Sequence, residues 1–102
     1  MTPNPIQISK KAIQEIKEMI ANKNIPQNYG LRVLAEGGGG CGGAKYRLGF
    51  DQIKQGDSTF EIEKITIIYE KKQFIFLLGL EIDFEERENE QGFVFKTSPI
   101  DS

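Results

Sequence analysis

With 102 residues the chain suffices for one domain with a modest core, and it is too short for two independently folding ones. Hydrophobic residues at 38% and charged residues at 27% are ordinary for a globular protein, and a net charge of -2 offers no global positive field to a phosphate backbone. The absence of His removes the usual general base near pH 7, and a single Cys rules out an intramolecular disulfide, so disulfide-stapled secreted scaffolds drop out and a reducing, cytoplasmic setting is expected.

In chain order, Met1 to Pro5 reads as an irregular lead-in with two prolines, and Met1 to Lys11 contains no apolar h-region. No apolar run approaches the ~18 residues that a membrane span needs. From Ser9 the period turns helical. Ala12, Ile13, Ile16, Met19 and Ile20 share one side, Ser9 is placed as N-cap, and Asn24 before Pro26 ends the helix. Gly30 to Glu36 reads as a strand with Leu31, Val33 and Ala35 on one face, and Ala44 to Phe50 as another with Tyr46, Leu48 and Phe50 aligned. Gly56-Asp57 marks a turn, and Phe60 to Ile62 and Ile65 to Tyr69 are rich in β-branched and aromatic residues.

The apolar segment Phe74 to Leu78 is too continuous for its period to choose helix or strand, though Gly79 suits a helix C-cap. Five consecutive apolar residues there leave both core packing and a subunit contact open. Leu80, Ile82 and Phe84 alternate with Glu81, Asp83 and Glu85, which predicts a half-buried strand. Gly92 is expected to open the last strand, Phe93 to Phe95. The acidic series Glu81, Asp83, Glu85, Glu86, Glu88 and Glu90 alternates outward and is interrupted by Arg87, so it reads as a solvated edge and not as a cation site. One helix followed by many short strands predicts a single, predominantly antiparallel β-layer domain over residues 1–102.

Residues 37 to 43 read Gly-Gly-Gly-Gly-Cys-Gly-Gly, so six of the eleven glycines surround the only cysteine, Cys41. A phosphate loop is excluded because Ala44-Lys45-Tyr46 follows where Lys-Ser/Thr is required. A dinucleotide fingerprint is excluded because a strand pattern follows instead of a helix. Glycines such as Gly40 and Gly42 let backbone N–H groups turn toward one anion, which favours thiolate over thiol and leaves the sulfur uncovered. A thiolate of this kind suits iron, and an iron-sulfur cluster takes four such ligands.

The blocks Leu31-Arg32-Val33, Gly38 to Gly43, Tyr46 to Asp51, Phe60-Glu61, Gly79 to Phe84 and Gly92 to Phe95 together resemble the A-type iron-sulfur carrier family (HesB/IscA-like). The resemblance runs from about Ile6 to Phe95. It implies an α+β fold, mainly β: a HesB-like two-sheet β sandwich with an N-terminal amphipathic helix and a short helix before the penultimate strand. It also implies a homo-oligomer, dimer or tetramer, that accepts iron or an iron-sulfur cluster at Cys41, beside Gly40 and Gly42, and passes it to assembly or recipient proteins without being an enzyme.

The sequence departs from the family pattern in three places. The family's Cys-Gly-Cys pair after the Gly-Phe-x-Phe strand has no counterpart in Lys96 to Ser102, Gly42 replaces the usual Ser, and Leu78 and Leu80 stand where polar residues are usual. With one Cys per chain, a bound cluster must bridge subunits or recruit an outside thiol such as glutathione or a monothiol partner. The alternative is a degenerate A-type domain without cluster binding that acts as an interaction module in iron-sulfur biogenesis. A thiol enzyme is disfavoured, because no His or second Cys is present to activate or resolve Cys41.

Overall fold

The computed structural model describes residues 5–36, 45–88 and 90–97. Its fold class is the expected α+β, mainly β, with two sheets and two helices. Backbone contacts divide the chain into two units, residues 1–24 with 78–102 and residues 25–77.

The first unit holds a three-stranded sheet in the order β1 (Ile6–Ile8), β6 (Leu80–Arg87), β7 (Glu90–Thr97), together with helix α1 (Lys10–Asn22). Helix α1 starts where the sequence placed it. Ser9 Oγ accepts the Ala12 N–H at 3.1 Å and donates to Asp83 Oδ1 at 2.6 Å, while the Ser9 N–H bonds the Ile82 carbonyl at 2.9 Å. One serine therefore caps the helix and ties its first turn to β6. Ala12, Ile13 and Ile16 are buried along with Leu80, Ile82 and Phe84, as the helical stripe and the strand alternation predicted, and Ile6, which neither pattern included, is buried too. Phe84 meets Phe93 edge-on, with ring centroids 5.1 Å apart.

The second unit is a four-stranded sheet in the order β3 (Lys45–Gln52), β2 (Tyr29–Glu36), β5 (Ile65–Glu70), β4 (Asp57–Ile62), followed by a 3-10 turn, Lys71–Gln73, and helix α2 (Phe74–Leu77). Leu31, Val33 and Ala35 are buried as expected, and Ile65, Ile67, Ile68 and Tyr69 make β5 buried on both of its sides. Close approach of β2 to β5 requires Gly30: a Cβ there would lie 2.7 Å from the Thr66 carbonyl oxygen. The short helix that the resemblance implied is α2, and Gly79 after it has the left-handed φ of +85° that a helix C-cap uses.

Antiparallel pairing predominates as expected, and each sheet also carries one parallel pair, β1 with β6 and β2 with β5, which in-out alternation cannot reveal. One strand boundary is corrected. Gly92 does not open β7; it pairs with Glu85 inside the strand, at none of the positive φ angles that make glycine a breaker. In the apolar segment Phe74 to Leu78, left open between core packing and a subunit contact, Leu77 is fully buried, and Leu80 is buried as its alternation predicted.

The β4–β5 hairpin closes on Glu63 and Lys64, with φ of +50° and +69°, between the paired Ile62 and Ile65. Two positive φ angles in a two-residue turn are what Asn-Gly adopts without strain. Replacing Glu63-Lys64 by Asn-Gly is therefore expected to stabilise the protein by about 1 kcal/mol, raising the midpoint of a thermal melt followed by circular dichroism by about 5 °C.

Candidate functional site

Cys41, Gly40 and Gly42 lie outside the described residues, as does all of 37–44, so the structure describes the frame on either side of them. Strands β2 and β3 stay in register over eight pairs, down to Glu36 opposite Lys45, where the chain leaves for and returns from the glycine segment. The exposed Glu36–Arg47 ion pair at 2.7 Å adds little to this frame. A stronger hold comes from Gln73. Its Oε1 accepts the Ala35 N–H at 3.1 Å and its Nε2 donates to the Ala35 carbonyl at 2.9 Å. On the opposite strand Tyr46, the register partner of Ala35, donates its hydroxyl to the Phe76 carbonyl over a long 3.4 Å.

Sequence reasoning missed the cluster around Arg32. Arg32 Nε bonds Asp51 Oδ2 at 2.9 Å, Nη1 and Nη2 take both oxygens of Asp57 at 2.9 and 2.6 Å, and Nη2 also bonds the Gln52 carbonyl at 3.0 Å. The Arg32 and Asp57 side chains are 9% and 2% exposed, and that of Asp51 is 33% exposed. Hydrogen bonding from the guanidinium draws the Asp57 carboxyl down to about 2, against the desolvation that pushes it up. Asp51 is lowered too, by the Gln52 N–H first and then by Lys54 and Arg32.

Asp57 also receives the Lys54 N–H at 2.7 Å, so Arg32 fixes the turn 53–56 between β3 and β4. A cleft of about 580 Å³ opens beside it, lined by Arg32, Asp51, Lys54, Asp57, Glu70 and Lys71 among others. Arg32, Asp51, Lys54 and Asp57 answer one another there, which makes this a structural cluster. The one signal for it in the sequence is an Arg in the middle of an apolar strand, which must find carboxylates if it is to be buried.

The acidic residues Glu81, Asp83 and Glu85 alternate with the buried Leu80, Ile82 and Phe84 as expected, but β6 is the central strand of its sheet, paired on both sides, and not an edge. Asp83 accepts from Ser9 and from the Phe84 N–H, and both contacts hold its carboxyl below the ordinary range. Lys96 lies 3.8 Å from Asp83 and 3.8 Å from Glu85. Among the described residues no three His, Cys, Asp or Glu side chains gather to hold a metal ion, and no helix is long and apolar enough to cross a membrane. The cysteine of the glycine segment is the one thiol in the sequence.

Comparison with known proteins gives a consistent result. The family described as iron-sulphur cluster biosynthesis matches residues 4–102. The chain is 36% identical over 91 residues to the iron-binding protein IscA of Pectobacterium carotovorum, covering 88% of this chain and 82% of that one. It is 31% identical over 85 residues to the iron-sulfur cluster insertion protein ErpA of Saccharophagus degradans, covering 82% of this chain and 71% of that one. In fold it is similar to the crystal structure of Escherichia coli SufA, with a TM-score of 0.76 at 23% identity over 95% of this chain and 83% of the other.

Proposed function

The chain belongs to the iron-sulphur cluster biosynthesis family, and on that premise we propose that it is a cytoplasmic accessory protein whose residues 1–102 act as one domain. It holds iron or an iron-sulfur cluster as cargo through Cys41 and hands it to recipient proteins. The observation that carries this reading is the position of the only cysteine among six glycines, inside the matched region and between two strands whose ends are fixed. It is also supported by the relatives named for iron binding and for cluster insertion. As a carrier the protein turns over no substrate.

The experiment is to isolate the protein without oxygen, or to supply ferrous iron and sulfide, and record the visible spectrum. Iron-sulfide charge-transfer absorption is expected. A colourless protein that still associates with cluster-assembly proteins would support the second reading, an interaction module.

One thiolate per chain makes association part of this reading, since a cluster with four ligands needs thiols from further chains or from glutathione or a monothiol partner. Ile75 and Phe76 on α2 are 71% and 61% exposed and offer apolar surface for a homodimer or tetramer. Burying one such side chain contributes about 2 kcal/mol. Phe76→Glu is therefore expected to raise the dissociation constant at least about tenfold in sedimentation or light scattering, with secondary structure retained. Unchanged association would remove α2 from the contact.

A further inference from the structure

We propose that Gln73 is a positioning residue for the chemistry of the glycine segment, an inference that rests on the reading of Cys41 as the ligand for the cargo. The register shows why a side chain is needed at this point. Strand β2 pairs in parallel with β5 at Leu31↔Ile67 and Arg32↔Ile68, and continuing the offset would set Ala35 against residue 71. The chain instead leaves β5 at Glu70 and turns into the 3-10 segment Lys71–Gln73. Buried Ala35 would then lack a partner for both its N–H and its carbonyl on that side.

The Gln73 amide takes the place of the missing strand, accepting from one group at 3.1 Å and donating to the other at 2.9 Å. Few side chains can do both at once, because the task needs a donor and an acceptor held in one plane. Three residues further on, Phe76 accepts the hydroxyl of Tyr46, which is the residue opposite Ala35. Both members of a single rung are thus bound to one short segment. That rung lies one pair from the end of the described hairpin, six residues before Cys41 and five after it. Whatever course the chain takes through the glycines, it departs from a strand whose backbone Gln73 holds at Ala35 and returns to one whose Tyr46 hydroxyl bonds the Phe76 carbonyl three residues after Gln73, as outer-shell partners orient ligands at metal centres.

The test uses the whole chain carrying Gln73→Leu or Gln73→Glu, read by the pH profile of Cys41 modification with 2,2′-dipyridyl disulfide and by titration with ferrous iron and sulfide. Gln73→Leu removes both hydrogen bonds, and about tenfold weaker iron uptake is expected, with a shifted thiol profile. Gln73→Glu retains both bonds only when its carboxyl is protonated. Its thiol profile is therefore expected to coincide with the wild type at low pH and to depart from it as the carboxylate forms.

A purely structural role would lower the melting temperature and leave the thiol profile unchanged. If Gln73→Leu does not fold, the pH dependence of Gln73→Glu decides. Variants whose thiol profile and iron uptake both match the wild type overturn the positioning role. Wild-type protein that takes up no more iron than Cys41→Ala overturns the carrier reading itself, which is a separate result.

Discussion

Arg32→Met is expected to cost about 3 kcal/mol of folding stability, measured by urea unfolding, a large share of the roughly 5 to 15 kcal/mol that holds a domain together. The substitution leaves Asp57, whose side chain is 2% exposed, without the cation that grips both of its oxygens. Breaking a buried pair from one side is expensive because the remaining carboxylate has lost its water as well as its partner. The figure belongs at the lower end of the range for buried pairs because Asp51 keeps 33% of its side chain in solvent and can rehydrate. A replacement of both partners, Arg32→Met with Asp57→Leu, is expected to recover part of the loss. A double variant no better than the single one would place the energy elsewhere.

The same cluster gives the protein a pH dependence with a definite sign. The folded-state pKa of Asp57, about 2, lies below the ordinary 3.8, so its contribution is fully present above 3.8 and is lost as pH falls through 3.8 toward 2. Asp51 and Asp83 are lowered as well and act in the same direction. In Arg32→Met the guanidinium that depressed Asp57 is gone, and desolvation favours its neutral form. Wild type therefore weakens on acidification through this window while the variant is spared that loss. The stability gap between the two is expected to narrow as pH falls.

How much of this was legible in the sequence follows from the range of the forces involved. Helix α1 was legible because its signals are local: a Ser9 cap, an apolar stripe, and Asn24 before Pro26. The alternation of Leu80, Ile82 and Phe84 was legible for the same reason. Strand β1 was not, since three residues, Ile6–Ile8, are too few to show a period and gain their place only by pairing with β6. The buried Arg32 was hidden because its partners Asp51 and Asp57 are 19 and 25 residues away, and a charge flanked by Leu31 and Val33 looks like an outward residue of an alternating strand.

Gln73 was hidden in a similar way: its meaning comes from a gap in a parallel ladder that no local pattern encodes. The choice of Cys41 as candidate ligand rests on composition and the family resemblance, and the described residues add to it only the frame of β2 and β3.

Cys41→Ala is expected to reduce iron and sulfide retained by the purified protein to background while leaving the circular dichroism spectrum intact. No other thiolate or imidazole exists in the 102 residues to take its place, since the sequence has no His and no second Cys. Carboxylates are the remaining donors, and the clustered ones are committed: Asp51 and Asp57 to Arg32, and Asp83 to Ser9. Stoichiometry in the wild type then shows how the four positions around a cluster are filled. Four chains sharing one cluster give about a quarter of a cluster per chain, and two chains with two molecules of glutathione give about half. Adding glutathione during reconstitution separates these cases: occupancy rises if it supplies the missing thiols and stays level if neighbouring chains do. A full complement of iron in Cys41→Ala would remove the thiol from the mechanism and transfer the carrier role to hard, oxygen-based ligation.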